Sequence, residues 1–251
     1  MQGVVERVDG PTDWVNSMVV VKKMDGNLRI CIDPKDLNKA LKREHYQMPT
    51  IEEITVRMAG ARYFSMLDAR SGYWQIPLDE ESLKLTTFNT PFGRFRFTRI
   101  PFGIRSAQEV FHKRMHEIFE DLEGVETDID DILVWGRTRQ EHDDRLRETL
   151  QRAREHNLSF NSEKCKFGQT RVVYIGHTLT GDGVEPDASK IEAIVDMPEP
   201  EDKKGVQRLL GMVNYVAKFV PNVSEKTAPL RELLKKDVAW HWNEKHRNAF
   251  E

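Results

Sequence analysis

Short runs of apolar residues, bounded by polar or turn-forming residues, recur along the chain and predict strands. These runs lie at 63–68, 73–78, 94–100, 129–135 and 172–179. The first run ends in the carboxylate of Asp68, and the fourth carries the pair Asp130 and Asp131 near its start. Acids in such places lie at a strand end or in a tight hairpin. Two such strands side by side would bring Asp68 and Asp130 to one point.

Helical patterns lie between these runs. Capping-box sequences at Thr50, Ser106 and Thr138 predict three helices, the first ending near Gly60 and the third near Asn157. The helix after Ser106 has one apolar face, which is formed by Val110, Phe111, Met115, Ile118, Phe119 and Leu122.

The ends of the chain differ in pattern. Near the start, the runs 19–23 and 28–32 are joined by Asp25-Gly26 and predict a β-hairpin. After Gly183 the pattern is helical, so a domain boundary is predicted near 183. Helices that cover one face of a small antiparallel sheet make the predicted fold class α+β.

Composition bounds the class of protein. The chain has 251 residues, 31% of them charged, and it contains no apolar run of 18 residues, so no membrane segment is expected. No secretory signal is visible, and Cys31 and Cys165 are too few for a disulfide framework or a zinc site. We therefore expect a globular protein inside the cell and not a secreted one.

The net charge of −3 argues weakly against nucleic-acid binding, because most proteins that bind duplexes carry a basic face. Local basic clusters nevertheless exist and could meet phosphates; they contain Lys22, Lys23, Arg29, Lys35, Arg94, Arg96 and Arg99. Without further information, a solvated surface explains these clusters about as well.

The acids suggest metal chemistry. Converging carboxylates repel one another unless a cation lies between them, and hard oxygen ligands favour Mg²⁺ or Mn²⁺. Such a site suits phosphoryl transfer, in which two metal ions stabilise the attacking and the leaving oxygens. An isolated Asp-Asp pair, however, is more often a turn or a helix cap.

The sequence around the acids favours the metal site. The chain carries, in this order, Pro11–Ser17, Asp25–Asp33, Leu67–Ile76, Phe88–Gly93, Pro101–Ile104, Ile129–Leu133, Asn161–Phe167, Tyr174–His177 and Leu209–Tyr215. In sequence and order these segments resemble the reverse transcriptase of Gypsy-type long-terminal-repeat retrotransposons. The resemblance extends over nearly the whole chain.

The resemblance implies a right-hand polymerase with an antiparallel palm sheet backed by helices and with a helical thumb. Fingers and palm would occupy residues 1–183, the thumb 184–238, and the start of a connection to an RNase H domain 239–251. The RNase H, protease and integrase segments of the family do not occur in this sequence. We therefore expect a piece of a retrotransposon polyprotein, or a separate reading frame derived from one. The resemblance also implies a location in the nucleus or in a cytoplasmic particle.

The resemblance also implies which residues carry the chemistry. Asp68, Asp130 and Asp131 would hold two Mg²⁺ or Mn²⁺ ions, with Asp131 as the weaker ligand because neighbouring strand residues face opposite sides. Lys164 matches a lysine near the pyrophosphate leaving group and could act as a general acid. A solvated lysine is an equally good reading of Lys164.

A second set of residues would bind the deoxynucleoside triphosphate, namely Lys23, Arg29, Ala69, Arg70, Tyr73 and Phe102. The two cations would contact phosphates, and Ala69 and Arg70 would offer backbone N–H groups. The ring of Tyr73 would clash with a 2′-hydroxyl, and Phe102 would pack near the base and sugar. Read without the family, the cations are surface residues and the two rings belong to the core.

The primer would be bound by Asp128, Ile129, Tyr174, Ile175 and Gly176. One of these positions departs from the family pattern, because an aromatic or apolar residue commonly occupies the position of Asp128. An additional acid there would either repel substrate phosphates or point away from them.

The leading hypothesis is an RNA-directed and DNA-directed DNA polymerase that needs a primer, an RNA or DNA template and deoxynucleoside triphosphates. The alternative is a catalytically inactive nucleic-acid-binding remnant of the same fold. A metal-dependent nuclease ranks last, because it leaves Arg29, Tyr73 and the first hairpin unexplained. A homodimer is left open.

Overall fold

The computed structural model describes residues 3–22, 26 and 28–251. The chain forms two compact units, Met1–Thr170 and Arg171–Glu251. The boundary precedes the division expected at 183 because residues 171–186 form a sheet of their own, which belongs to the second unit. No helix in the described part of the chain is long and apolar enough to cross a membrane.

The strands of the first unit form three sheets. They are β1 (Val5–Val8), β2 (Ser17–Lys22), β3 (Leu28–Asp33), β4 (Tyr63–Asp68), β5 (Phe88–Thr90), β6 (Gly93–Phe97), β7 (Val125–Asp128), β8 (Asp131–Gly136) and β9 (Lys166–Gln169). The central sheet is antiparallel with the order β7-β8-β4-β9. A second sheet has the order β1-β6-β5, and β2 pairs with β3 as the predicted hairpin.

The helices of the first unit are α1 (Lys35–Ala40), α2 (Ile51–Arg57), α3 (Glu80–Leu85), α4 (Ala107–Phe119) and α5 (Arg139–Glu155). Phe111 and Met115 of α4 and Ala153 of α5 pack against Leu67 and Ile132 of the central sheet. Each large apolar side chain buried there contributes about 1.5–3 kcal/mol. This packing is the α+β arrangement that the apolar pattern predicts.

The run 73–78 is not a strand, contrary to the prediction. Ser71 has a φ of +51°, and the chain then forms a 3₁₀ turn from Gly72 to Gln75. A side chain at position 72 would overlap the carboxylate of Asp130 and the ring of Phe111. The turn therefore depends on a glycine and on contacts with residues distant in sequence, which an alternation pattern does not encode.

The capping box at Thr50 is confirmed. The Glu53 backbone N–H donates to the Thr50 hydroxyl (3.3 Å), and the Glu53 carboxylate accepts from the Thr50 N–H (2.8 Å). At Thr138 only half of the box forms, because the carboxylate of Glu141 accepts from the N–H of Arg137 instead.

The capping box at Ser106 is wrong, although the helix that it marks is present. Ser106 makes no side-chain cap. The carboxylate of Glu109, which should complete the box, instead pairs with Arg43 and accepts from the N–H of Glu44 (3.1 Å). A long-range ion pair has replaced the local cap.

The second unit combines a small sheet with helices. Its elements are β10 (Arg171–Tyr174), β11 (His177–Thr180), β12 (Gly183–Pro186), α6 (Ala188–Val195), α7 (Lys203–Val216), α8 (Val223–Lys226), α9 (Ala228–Leu233) and α10 (Glu244–Phe250). The strands pair antiparallel in chain order. The helical pattern predicted after Gly183 is confirmed beyond the third strand.

The core of the second unit lies between α7 and α9. Val206, Leu209 and Leu210 pack against Leu230 and Leu233. Trp242 and Phe250 also pack on this cluster. The stretch 239–251, predicted to begin a connecting segment, is thus part of the same compact unit.

Candidate active site

The acidic site is built by strand register. In the β4–β8 pair Asp68 lies opposite Asp131, and in the β7–β8 pair Asp128 lies opposite Asp131. Ile129 and Asp130 form the two-residue turn between β7 and β8. The run 129–135 is therefore a turn followed by a strand, and four carboxylates meet at one end of the central sheet.

Asp130 is fixed by the main chain and crowded by its neighbours. Its carbonyl oxygen accepts from the N–H of Ala69 (2.7 Å), which ties the turn to the end of β4. Its Oδ1 is buried and has no hydrogen-bond partner among the described residues. Because Gly72 has no side chain, the 3₁₀ turn can lie against this carboxylate. A buried acceptor without a partner is costly unless a ligand satisfies it.

Three of these acids, Asp128, Asp130 and Asp131, have raised pKa values. Asp131 is exposed to solvent. Its pKa is nevertheless raised to about 6, first by the protein packed around its carboxyl group and then by the negative charges of Asp68, Asp128 and Asp130. Burial and the charge of Asp68 also raise the pKa of Asp130, while Lys164 and Arg29 oppose that rise. Burial raises the pKa of Asp128.

These residues fit a divalent cation chemically. Carboxylate oxygens are the donors that Mg²⁺ and Mn²⁺ prefer, and a cation would favour the ionised acids against the burial and the mutual repulsion that raise their pKa values. Within the described residues, however, no three His, Cys, Asp or Glu side chains are already oriented around one point. Lys164 Nζ lies 3.1 Å from Asp68 Oδ2, so side-chain rotation would accompany metal binding.

The acids open into a cleft of about 700 Å³. It is lined by Leu28, Arg29, Asp68, Ala69, Arg70, Ser71, Gly72, Trp74, Phe102, Asp130, Phe160, Asn161, Ser162, Glu163 and Lys164. Arg29 and Lys164 thus place positive charge around the floor formed by Asp68 and Asp130. Asp131 is not among the residues that line this cleft.

An aromatic cluster packs beside the cleft. The guanidinium of Arg29 lies 4.4 Å from the ring centre of Phe102, a cation–π distance. The ring of Tyr73 lies 5.1 Å from Phe102 and 5.7 Å from Phe111. Burial, with the charge of Asp130, raises the pKa of the Tyr73 phenol. Phe102 therefore contacts two other predicted nucleotide-binding residues, Arg29 and Tyr73.

Two of the predicted backbone contacts are not available. The N–H of Ala69 donates to Asp130, and the N–H of Arg70 donates to the carbonyl of Ser159 (2.9 Å). The expectation that these two groups face a triphosphate is therefore wrong for this conformation, because both already hold the loop after β4. Lys23 lies outside the described residues.

The predicted primer-binding residues divide between the units. Asp128 and Ile129 belong to the hairpin of the first unit, and Tyr174, Ile175 and Gly176 belong to the hairpin of the second. Ile175 and Gly176 form a two-residue turn between β10 and β11, so the predicted strand 172–179 is in fact a hairpin.

His112 is a residue that sequence reasoning missed. The buried ring lies in α4, and its Nδ1 accepts from the N–H of Ile129 (3.2 Å). Ile129 has a φ of +53°, which is unfavourable for a β-branched residue. Burial lowers the pKa of His112, so the neutral ring that can accept this bond is favoured. The sequence gives no signal for His112, because this residue lies among the apolar residues of one helix face.

Gln75 was also missed. Its side-chain N–H₂ group donates to the carbonyls of Arg70 and Ser159 (both 2.9 Å), and its oxygen accepts from the N–H of Ser159 (2.7 Å). These bonds join the loop after β4 to the segment before β9. No local pattern could have indicated the bonds between Gln75 and Ser159, since these residues are 84 positions apart.

A separate cluster has the bonding pattern of a hydrolase triad. Ser65 Oγ and His142 Nε2 are 2.8 Å apart, and His142 Nδ1 and Asp143 Oδ1 are also 2.8 Å apart. Both Ser65 and His142 are fully buried, and Ser65 Oγ accepts from the N–H of Gly168 (3.0 Å). The cluster joins β4, α5 and β9 and has no room for a substrate.

Known sequences give independent information. The sequence profile of the family described as reverse transcriptase (RNA-dependent DNA polymerase) matches residues 21–179. The chain is 34% identical to the retrovirus-related Pol polyprotein from transposon 412 of Drosophila melanogaster, over 88% of this chain and 18% of that protein. It is 33% identical to the Transposon Tf2-3 polyprotein of Schizosaccharomyces pombe, over 100% of this chain and 19% of that protein. The chain therefore spans about a fifth of the length of these relatives.

Solved structures agree in fold. The foamy viral protease-reverse transcriptase in complex with double-stranded DNA superimposes with a TM-score of 0.88 at 24% identity, over 99% of this chain and 52% of that one. The same viral protein in complex with an RNA/DNA hybrid superimposes with a TM-score of 0.81 at 23% identity, over 99% of this chain and 34% of that one. These likenesses confirm the α+β polymerase fold.

Proposed function

The chain belongs to the reverse transcriptase family, and we propose that it is an RNA-directed and DNA-directed DNA polymerase that extends a primer with deoxynucleoside triphosphates. The supporting observation is the convergence of Asp68 and Asp130 on the floor of a cleft whose walls carry Arg29 and Lys164. Acids that can hold cations, next to fixed positive charge, suit the transfer of a phosphoryl group.

Asp68 and Asp130 would hold two divalent cations, Mg²⁺ or Mn²⁺, with Asp131 as the weaker ligand. When bound, such ions stabilise the charge that develops on the attacking and leaving oxygens. The buried Oδ1 of Asp130 supports this role, since it has no partner within the described residues.

Arg29 would bind the triphosphate, and its contact with Phe102 would hold the guanidinium in one orientation. Lys23, which lies six positions before Arg29 in the sequence, would add a second positive charge. Tyr73 would exclude a 2′-hydroxyl, because its ring is held between Phe102 and Phe111 and cannot easily move aside.

In the reaction, the 3′-hydroxyl of the primer loses its proton to solvent, its oxygen forms a bond to the α-phosphorus, and the bond from that phosphorus to the bridging oxygen breaks. Pyrophosphate leaves, and we assign to Lys164 the proton that neutralises it. Lys164 now pairs with Asp68. Cation binding at Asp68 would free the ammonium for this task.

Asp128, Ile129, Tyr174, Ile175 and Gly176 would contact the primer. The two hairpin turns support this assignment, because each presents main-chain atoms at a tight bend. The substrate would be a duplex bound through its shape and backbone, as expected for a polymerase that does not select sequence.

An inactive nucleic-acid-binding remnant is the competing proposal, and Asp128 is the observation in its favour. This half-buried acid lies opposite Asp131 in the hairpin and adds negative charge where substrate phosphates would approach. A nuclease would use the same acids, but would have no need of the cluster formed by Arg29, Tyr73 and Phe102.

A primer-extension assay separates the three proposals. We expect the purified chain to lengthen a labelled DNA primer on an RNA template with Mg²⁺ and all four deoxynucleotides, and to stop when EDTA is added. Duplex binding without extension would support the inactive remnant. Shortening of the labelled strand in the absence of nucleotides would support the nuclease.

A further inference from the structure

The turn between β10 and β11 is strained. Ile175 has a φ of +45° and Gly176 a φ of +70°. Left-handed backbone is ordinary for glycine but unfavourable for a β-branched isoleucine, so other parts of the unit must stabilise the conformation.

Two side chains provide that stabilisation. The hydroxyl of Tyr215, at the end of α7, donates to the carbonyl of Gly176. His177 Nδ1 lies 2.8 Å from the carbonyl of Ile175, and since a carbonyl can only accept, this nitrogen carries the proton. Both carbonyls of the turn are therefore satisfied by rings.

The two rings support each other. His177 stacks on Tyr215 with ring centres 5.5 Å apart and an interplanar angle of 25°. The ring centre of Phe219 lies 6.0 Å from that of His177. His177 is buried, whereas Tyr215 is 37% exposed. The phenol thus lies at the surface, against the turn.

The contact leaves no space for a side chain at position 176. A methyl group there would overlap the hydroxyl of Tyr215. The glycine is needed for its φ and also for the close approach of the phenol.

From this geometry we infer that Tyr215 is a positioning residue, which fixes the turn Ile175–Gly176 to α7 so that hairpin and helix bind a primer–template duplex as one rigid element. The inference rests on the proposed function, in which this turn contacts the primer. Without the phenol hydroxyl, the turn would have to be ordered each time a duplex binds, and that ordering would weaken binding.

The first measurement uses no nucleic acid. In Tyr215→Phe the ring and its stacking remain and one hydrogen bond is lost, so amide hydrogen exchange at 174–178 should accelerate about two- to tenfold. Tyr63→Phe, a tyrosine of the first unit, is the matched control and should leave this segment unchanged. Unchanged exchange in Tyr215→Phe would overturn the inference.

The second measurement is duplex affinity by fluorescence anisotropy. We expect the Kd of Tyr215→Phe for a primer–template duplex to rise about two- to tenfold, while kcat at saturating duplex stays at the wild-type value. Gly176→Ala, which displaces the same hydroxyl, should raise the Kd in the same direction. Faster exchange with an unchanged Kd would show a bond that only stabilises the fold, and would refute the positioning role.

The two proposals fail differently. If the wild-type chain extends no primer, the proposed function is refuted. If the wild-type chain extends primers and Tyr215→Phe matches it in exchange, Kd and KM for primer–template, the function stands and the role of Tyr215 is refuted.

Discussion

Two hairpin turns, one in each unit, share a left-handed backbone conformation at their first residue but differ in the groups that they carry. Each has two residues, and each begins with an isoleucine in the left-handed region, Ile129 at +53° and Ile175 at +45°. The first turn continues with Asp130 and the second with Gly176. One turn therefore carries a carboxylate at its second position, and the other has no side chain there.

The supports of the two turns differ in burial. The first is held by the buried ring of His112 and by the main chain of Ala69, inside the core of the central sheet. The second is held by Tyr215, which is more than a third exposed, and by the stacked ring of His177. The hydrogen bond made by the buried His112 is shielded from water, whereas the bond made by the exposed Tyr215 is more easily broken. We therefore expect changes at the first turn to affect kcat and changes at the second to affect binding of the duplex.

The largest effect tests this contrast directly. Asp130→Asn should lower kcat for Mg²⁺-dependent primer extension about a thousandfold, because a lost metal ligand removes several kcal/mol of charge stabilisation. Duplex affinity should not change, and circular dichroism should show an intact fold. Extension at a near wild-type rate would contradict the assignment of Asp130, and the same holds for Asp68→Asn.

The next prediction concerns the support of the first turn. His112→Leu leaves the N–H of Ile129 without its acceptor, and the loss of one buried hydrogen bond should lower kcat about ten- to a hundredfold. His112→Gln offers an acceptor of similar reach and is expected to keep most of the activity. Steady-state extension measures both. If the two variants have the same kcat, His112 contributes through packing and not through its hydrogen bond to Ile129.

Tyr73, which packs beside the first turn, should govern choice of substrate. Tyr73→Ala opens space for a 2′-hydroxyl, so the ratio of kcat/KM for deoxy- over ribonucleotides should fall about tenfold or more. Tyr73→Phe keeps the ring and is the control. An unchanged ratio in the alanine variant would make Tyr73 an ordinary core aromatic.

Asp128, the last residue of β7, tests whether the strand before the first turn carries too much negative charge. Asp128→Tyr removes a half-buried carboxylate near Asp131 and should lower KM for primer–template, by no more than about fivefold because the charge is partly screened by solvent. Asp128→Asn removes the negative charge without adding a ring, so it shows which of the two changes lowers KM. Equal KM and kcat in all three proteins would show that Asp128 points away from the substrate.

The smallest effect is on stability without metal. The folded pKa of Asp131, about 6, lies above its unfolded value of about 3.9. The protonated form is therefore favoured on folding, and its contribution is complete below pH 4 and lost as the pH rises through 6.

Asp131→Asn imitates the neutral acid. In metal-free buffer this variant should melt at a higher temperature than the wild type at pH 7, and the difference should shrink toward pH 5. Added Mg²⁺ should reduce or reverse the difference at pH 7, because only the wild type has the additional ligand. A difference in melting temperature that is independent of pH would contradict the raised pKa.

Local sequence determined most of the elements that build the site. The apolar run before Asp68, the run after Asp131 and the helix after Ser106 all lie where the patterns predict them, since burial of one face is a local property of spacing. The motif order also identified the family and the residues Asp68, Asp130, Arg29, Phe102 and Lys164, which line one cleft.

Tertiary structure decided what the patterns do not encode. The run 73–78 became a 3₁₀ turn because Gly72 lies against Asp130 and Phe111, and the N–H groups of Ala69 and Arg70 were taken up by distant carbonyls. The supports of the two strained turns, His112 and Tyr215, lie 17 and 39 residues from the groups that they bind. Periodicity reports which face of an element is buried. Hydrogen bonds between elements depend on how the elements pack, so only the folded chain determines them.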